Sequence, residues 1–312
     1  MMRAVARSFL RVTDLSPQEL QLVIDRALAY KTTPRRSPDL LRGQSVTLYF
    51  NKPSTRTRIS FETAVHRLGG LPVTVGPSDR QMGRGEAVED PARVISRCSA
   101  AFVTRTYADD EIARFARAAS NPVINALTDG HHPCQALADL LTLRERFGKL
   151  EGLTLAYVGA GNNVVHSLLE ASALAGMNMR VAAPARYPAD PAIVEGARRL
   201  AEKSGARIEI TESAAEAVDG VDAVYTDTWL SMGDPYEERK QREQVLAPYQ
   251  VNAALMKRAK PSAVFLHCLP AHRDEEVTNE VADSAQSVIF DQAENKLHTS
   301  MAILDLLGSG AI

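Results

Sequence analysis

Basic residues are concentrated in one short segment in the first third of the chain, which contains Lys52, Arg56 and Arg58. Ser54 is a good N-cap, and the apolar spacing that follows predicts a helix over about 54–68. A helix start already has positive potential from its dipole and its unpaired amides, so additional cations there are unfavourable without an anion. The segment therefore indicates a site for a dianion such as phosphate, and ordinary solvated arginines on a capped helix are the alternative.

Three more residues in the first half have side chains suited to a small polar ligand. Arg105 directly follows the apolar run 101–103, where its guanidinium is available to a phosphate or carbonyl group, unless it forms a surface salt bridge. His132 and Gln135 stand one turn apart at the start of the next predicted helix. Both can hydrogen-bond a planar amide, although a histidine at this position is also common as a cap or an exposed residue.

A glycine- and asparagine-containing turn at 159–163 follows a predicted strand in the second half. It is similar to a dinucleotide-binding fingerprint, but Val164 occupies the place of the third glycine. The next strand ends in Ala183-Pro184, without the acidic residue that binds a ribose. These features disfavour a nicotinamide cofactor. The paired asparagines could offer amides to a substrate carboxylate, or form a purely structural turn.

Two other predicted strand ends carry reactive groups. Asp227 follows one strand and leads into a charged, glycine-containing segment that we expect to act as a mobile lid. His267-Cys268-Leu269-Pro270 follows another strand, so the Cys268 thiol is expected to be exposed at the active edge of the sheet. A buried inert thiol is the more common fate of a lone cysteine. The Leu269-Pro270 bond is a candidate cis peptide.

The elements that position these residues alternate between strands and helices, which predicts an α/β fold with two doubly wound parallel-sheet domains. Because polar residues follow the strands of both sets, the active ends are expected to face an interdomain cleft. The helix at about 132–147 would connect domains 1–147 and 148–293, and a last helix at about 294–312 would pack back on the first. The predicted strands are 46–50, 72–75, 101–104, 122–125, 153–158, 179–182, 207–210, 223–226, 263–266 and 288–290.

Composition excludes several classes of protein. The 312 residues include 36 basic and 38 acidic side chains, so the net charge of -2 gives no general attraction to nucleic acid or to an anionic membrane. The three cysteines show no CxxC spacing, which argues against a disulfide framework and a zinc cluster and favours a reducing cytoplasm. The sequence has no apolar run of about 20 residues and no secretory signal pattern, so we expect a cytoplasmic protein.

Four segments resemble motifs of the aspartate and ornithine carbamoyltransferase family, and the resemblance extends over nearly the whole chain. They are Ser54-Thr55-Arg56-Thr57-Arg58, His132-Pro133-Cys134-Gln135, Asp227-Thr228-Trp229-Leu230-Ser231-Met232-Gly233 and His267-Cys268-Leu269-Pro270. The last two resemble the ornithine branch. The resemblance implies transfer of a carbamoyl group from carbamoyl phosphate to L-ornithine in arginine metabolism, by a homotrimer with shared sites and with no metal or organic cofactor.

The resemblance also implies roles for individual residues. Catalysis would involve Arg105, His132, Asp227 and Cys268. The implied carbamoyl phosphate ligands are Ser54, Thr55, Arg56, Thr57, Gln81, Arg105, His132, Gln135, Cys268, Leu269 and Lys296, with Gln81 reaching the site of a neighbouring subunit. The implied ornithine ligands are Asn163, Asp227, Ser231 and Met232.

Three positions depart from the family pattern: Ala160 stands where Asp is common, Asp274 where Gly is common, and Lys296 where Arg is common. Lysine cannot form the bidentate fork of arginine, so affinity for carbamoyl phosphate is in question at Lys296. The alternatives to ornithine as the acceptor are putrescine, lysine or aspartate. A dinucleotide-dependent dehydrogenase and a catalytically silent binding protein are the alternatives from other classes.

Overall fold

The protein is described by a computed structural model, which covers residues 7–33, 39–52, 54–76, 87–230 and 236–312. The chain divides into two compact units. The first ends at Leu141 and also takes in Glu294–Ile312, and the second is Thr142–Ala293. None of the helices in the described ranges is both long enough and apolar enough to cross a membrane.

The helices follow the capping and spacing signals of the sequence. Ser16 accepts a hydrogen bond from the Glu19 amide to start the first helix, with a proline in its first turn, and Gly205 ends the seventh with a φ of 77°. The helices are α1 Pro17–Thr32, α2 Thr55–Arg67, α3 Glu89–Cys98, α4 Asp109–Ala118, α5 Pro133–Phe147, α6 Asn163–Leu174, α7 Pro191–Ser204, α8 Ala214–Ala217, α9 Arg239–Leu246, α10 Ala253–Met256, α11 Asn279–Ala282 and α12 Ile289–Ser309.

The first unit contains a parallel sheet in the order β2-β1-β3-β4. Its strands are β1 Ser45–Phe50, β2 Leu71–Val75, β3 Ala101–Arg105 and β4 Val123–Leu127. The connections leave β1 toward β2 and then cross to β3 on its other side, so the strand order reverses between β1 and β3. In open α/β sheets the ligand crevice lies beyond the carboxyl ends of such a pair. These ends are Phe50 and Arg105, which pair with each other in the sheet register.

The second unit also contains a parallel sheet whose strand order reverses, in the order β7-β6-β5-β8-β9. Its strands are β5 Thr154–Val158, β6 Asn178–Ala182, β7 Ile208–Thr211, β8 Ala223–Thr226 and β9 Val264–His267. The order reverses between β5 and β8. The turn after β5 and Asp227 after β8 therefore share one switch point. The α/β class with two parallel-sheet domains is confirmed.

One predicted strand is wrong. Residues 288–290 do not form a strand, because α12 begins at Ile289, and only Ser287 makes an isolated parallel bridge with Phe265. The run Val288-Ile289-Phe290 has the apolar character of a short buried strand, which periodicity cannot distinguish from the start of a buried helix. As a result α12 starts five residues before the 294 predicted from the sequence.

Candidate active site

The start of α2 lies directly after the carboxyl end of β1, at the switch point of the first sheet. The Asn51 amide donates to the Arg105 carbonyl at 2.9 Å, which ties this turn to the end of β3. Ser54 occupies the N-cap position as predicted, but its hydroxyl accepts no hydrogen bond from the first-turn amides. Thr57 is buried, whereas Arg56 is half-buried and Thr55 is exposed. This helix start therefore presents amides and hydroxyls that its own cap does not use.

The two other cations of this segment, Lys52 and Arg58, have different environments. Lys52 is only 3% exposed, forms an ion pair with Asp129, and places Nζ 4.3 Å from the centroid of the Tyr107 ring. Arg58, in contrast, is exposed and donates from Nε to Glu62 at 2.8 Å. Arg58 thus forms a surface ion pair with Glu62. This agrees with the alternative interpretation, in which the arginines of this segment are solvated. Its separation from Glu62 by four residues was the available signal.

Arg105, His132 and Lys296 are all buried in the first unit. Burial, and then the positive charges of Lys296 and Arg105, hold the pKa of His132 well below its usual value. The imidazole is therefore neutral at physiological pH and donates from one ring nitrogen only. The same electrostatic effect shows that two cations act at this point, which makes it favourable for an anion.

Gln135 is 1% exposed and has a defined amide orientation. Its Nε2 donates to a carboxylate oxygen of Asp139 at 2.7 Å, which requires Oε1 to point the other way. Within the described ranges, that buried Oε1 accepts no hydrogen bond. A buried acceptor without a donor is costly, so the site suits a ligand that brings an N–H group to Gln135.

Asp227 is the centre of the polar cluster in the second unit, and it is 7% exposed. Its Oδ2 accepts from the Asn162 amide at 2.7 Å, and its Oδ1 lies 3.0 Å from the Cys268 sulfur, which donates to it. The sequence selected Asp227 and Cys268 as site residues, whereas Asn162 was considered only as one of the paired asparagines that could bind a substrate carboxylate. Asn162 caps α6 by accepting from the amides of residues 164 and 165, and its position before a helix was the signal available.

The turn after β5 has little room for larger residues. A Cβ added to Gly161 would lie 2.1 Å from the Pro188 carbonyl oxygen, and Gly159 has a φ of 148°. Ala160 is buried, and its carbonyl accepts from the Tyr157 hydroxyl at 2.9 Å. The turn is thus organised without the aspartate that is common at position 160. Asn163, which the sequence placed in the site, is the half-buried first residue of α6.

The turn after β9 contains a cis Leu269–Pro270 peptide, as predicted, and Leu269 has a φ of 59°. Cys268 is 9% exposed rather than an exposed thiol, because Asp227 and the sheet edge cover it. Asp274 takes the place of the expected glycine with a φ of 67°, and its carboxylate accepts from both amides of Asn279. Asp tolerates this left-handed conformation because its short side chain bonds locally.

Among the described residues, two groups of side chains have the composition of a metal site. Asp227, His267 and Cys268 have potential ligand atoms within 4.8 Å of one another, as do His272, Glu275 and Glu276. In the first group, however, both ring nitrogens of His267 already form hydrogen bonds within the protein.

Three predicted ligands lie outside the described residues. They are Gln81, Ser231 and Met232.

Two family profiles match the chain in consecutive parts. "Aspartate/ornithine carbamoyltransferase, carbamoyl-P binding domain" matches residues 7–145, and "Aspartate/ornithine carbamoyltransferase, Asp/Orn binding domain" matches residues 151–307. Together with the fold and the two polar clusters, these matches define the class: the chain belongs to the aspartate/ornithine carbamoyltransferase family. It is a carbamoyltransferase.

Individual relatives that match over nearly the whole chain are ornithine carbamoyltransferases. The ornithine carbamoyltransferase of Acidothermus cellulolyticus is 50% identical over 301 residues, which cover 96% of each chain. The crystallised ornithine carbamoyltransferase of Gloeobacter violaceus is 42% identical with a TM-score of 0.88, covering 96% of this chain and 98% of that one. The solved enzyme of Pyrococcus furiosus is 41% identical with a TM-score of 0.94 over 100% of both chains.

Proposed function

We propose that this carbamoyltransferase converts carbamoyl phosphate and L-ornithine to L-citrulline and phosphate, as a step of arginine metabolism. The relatives that match over nearly the whole chain are named for ornithine. The observation that carries the choice of acceptor is Asp227, a carboxylate held on both oxygens at the switch point of the second sheet. Such a group suits a cationic amine of an amino acid.

Most of the proposed ligands of carbamoyl phosphate belong to the first unit. The phosphate is placed at the start of α2, where the cap hydroxyl leaves first-turn amides unused and the preceding turn is bonded to the backbone of Arg105. The carbamoyl NH2 group donates to the buried Oε1 of Gln135, and neutral His132 donates to the carbamoyl oxygen. The proposed ligands of carbamoyl phosphate are Ser54, Thr55, Arg56, Thr57, Gln81, Arg105, His132, Gln135, Cys268, Leu269 and Lys296.

Ornithine binds to the second unit through Asn163, Asp227, Ser231 and Met232. Its attacking amine is protonated at neutral pH and must lose a proton before it adds to the carbamoyl carbon. As the tetrahedral intermediate forms, negative charge develops on the former carbonyl oxygen, and Arg105 stabilises that charge. Collapse of the intermediate breaks the bond to the phosphate oxygen. Asp227, Cys268 and the departing phosphate all have the chemistry to accept the amine proton.

The direct test is an assay of ureido product with carbamoyl phosphate and one acceptor at a time. Ornithine is expected to give citrulline, while putrescine, lysine and aspartate give much lower rates. Absence of citrulline from ornithine would refute the proposal. A higher rate with putrescine, lysine or aspartate would instead keep the carbamoyltransferase chemistry and replace the acceptor.

The phosphate half of the site is tested by Arg56→Ala, with Arg58→Ala as the matched control. Arg56 is half-buried at the helix start, whereas Arg58 is exposed and paired with Glu62. We expect the KM for carbamoyl phosphate to rise about 10-fold or more in Arg56→Ala, since a charge-assisted hydrogen bond contributes about 1.5–3 kcal/mol. The control should change it less than about twofold. Equal effects of the two substitutions would remove Arg56 from the site.

We also propose a homotrimer in a reducing cytoplasm. The three cysteines form no disulfide, which suits such a compartment. Ile59 on α2 and Leu71 on the edge strand β2 are 57% and 63% exposed, which suits coverage by another subunit. Leu71→Lys is expected to lower the mass measured by light scattering. Ile210→Lys, on the edge strand β7 of the second unit, is the control and should leave the mass unchanged.

A further inference from the structure

A buried polar network lies beneath the turn that carries Cys268. His267, Glu276 and Gln292 are all 0% exposed. The His267 amide donates to the Gln292 side chain at 2.9 Å, and the amide group of Gln292 donates to the Tyr225 hydroxyl at 3.1 Å. The network therefore fixes the backbone at the carboxyl end of β9, directly before the thiol.

The two ring nitrogens of His267 have distinct roles. Nδ1 lies 2.9 Å from the Leu269 amide, which donates to it, so Nδ1 carries no proton. The ring proton is then on Nε2, which lies 3.1 Å from a carboxylate oxygen of Glu276. That carboxylate oxygen also accepts from the His272 amide at 2.6 Å. Both the tautomer and the orientation of the imidazole are thus defined by its partners.

The hydrogen bond to Leu269 acts on an unusual backbone conformation. Leu269 has a φ of 59°, in the left-handed region that residues other than glycine rarely adopt. Such a conformation persists when surrounding groups stabilise it. The His267 ring does so directly, because it accepts a hydrogen bond from the Leu269 amide. Cys268 lies between these two residues, with its sulfur 3.0 Å from Asp227. A change in the turn would therefore displace the thiol.

We propose that His267 and Glu276 are a positioning pair: Glu276 orients the imidazole, which holds the Leu269 amide and so sets the Cys268 thiol against Asp227. A buried carboxylate and imidazole are costly to desolvate, and apolar packing would stabilise the fold as well. Their value lies in the orientation that they impose. The kinetic part of this inference rests on the proposed transfer to ornithine.

Isosteric substitutions test the two ring hydrogen bonds of His267 separately. Asn at position 267 keeps an acceptor near the place of Nδ1, and Gln keeps a donor near the place of Nε2. We therefore expect His267→Asn to retain more kcat than His267→Gln, whose turn is no longer held. Glu276→Gln keeps the accepting oxygen and should stay within about threefold of the parent. Glu276→Ala should lose about 10- to 100-fold in kcat, the effect of a misplacement near 1 Å.

Two features distinguish positioning from a merely structural role. The kcat should fall by more than the KM for carbamoyl phosphate rises, because the proposed ligands of its phosphate group lie on the first unit. The rate at which iodoacetamide alkylates Cys268, followed by peptide mass spectrometry, should change several-fold in Glu276→Ala and His267→Gln. It should return toward the parent rate in the conservative partners Glu276→Gln and His267→Asn. Glu275→Gln is the control, since Glu275 pairs with Arg239 at the surface.

Equal kcat and equal Cys268 alkylation in His267→Asn and His267→Gln would overturn the inference, and these variants decide it even if Glu276→Ala does not fold. The alkylation rate does not depend on citrulline formation. If the parent enzyme makes no citrulline but alkylation follows the expected order, the acceptor assignment fails and the positioning pair stands.

Discussion

The neutral state of His132 predicts that the first unit loses stability in mild acid. His132 is buried, and burial together with Lys296 and Arg105 lowers its pKa well below the ordinary 6.5. The folded protein keeps this ring neutral, whereas the unfolded chain binds a proton once the pH falls below about 6.5. Stability is therefore unaffected above that pH and decreases below it, down to the pKa of the folded state.

The size of the effect follows from linkage. With an unfolded-state pKa of 6.5, protonation of His132 stabilises the unfolded chain by at most about 1.4 kcal/mol at pH 5.5 and about 0.1 kcal/mol at pH 7.5. For a unit of this size, the difference corresponds to about 3–5 °C in melting temperature. His298, whose pKa is lowered mainly by burial, contributes in the same direction. A comparison between variants is therefore required to isolate His132.

The assay is reversible unfolding of wild type and His132→Gln at pH 7.5, 6.5 and 5.5. The buffer should contain no phosphate, because an anion beside Arg105 and Lys296 would offset the charges that lower the pKa of His132. His66→Gln, at an exposed position on α2, controls for the loss of a histidine. We expect the free energy of unfolding to decrease less toward pH 5.5 in His132→Gln than in wild type, by up to about 1.4 kcal/mol. Parallel curves for wild type and His132→Gln would refute the argument that His132 is held neutral.

Three further predictions concern the framework of the site. Gly161→Ala should cost about 1–3 kcal/mol of stability, because its Cβ meets a backbone carbonyl at 2.1 Å; an unchanged melting temperature would contradict this. Burial raises the pKa of the Cys134 thiol to about 12, so at pH 8 iodoacetamide should label exposed Cys98 and spare Cys134 in peptide mass maps. Tyr30→Phe removes a hydroxyl that donates to a buried carboxylate at 2.7 Å, and chemical unfolding should show a loss of about 1–2 kcal/mol.

The sequence was sufficient for the parts of the fold that local signals control. Strand ends could be located because a run of apolar residues stops where a polar residue faces the ligand edge, as at Phe50 and Thr226. The start of α12 was placed too late because an apolar run next to a domain core has no period to distinguish strand from helix. The extended pairing there is limited to the isolated bridge between Ser287 and Phe265, a distant contact that the local sequence does not contain.

The site shows the same division between local and distant information. Arg105, His132 and Asp227 were identifiable because each directly follows a strand or starts a helix. The burial of Lys52 was not, because it depends on a distant partner, Asp129, whereas the pair of Arg58 with Glu62 follows from local helix spacing. Glu276 lies nine residues beyond His267, on a segment without any motif of its own. Only the folded second unit shows that the two side chains meet.

The charges at the two switch points are consistent with the proposal that each unit binds a different substrate. In the first unit, Arg105 and Lys296 lie in a buried site together with a histidine that they help to keep neutral. If that histidine were also charged, the site would hold a third buried cation, at a cost that even a dianion would have to offset. In the proposed reaction, a neutral imidazole would instead donate one hydrogen bond to the carbonyl oxygen, and Arg105 would compensate the charge. At the switch point of the second unit, the carboxylate of Asp227 is buried, and its charge is opposite to that of the proposed amine substrate. In the proposed reaction, the charge of each site would thus favour its own substrate.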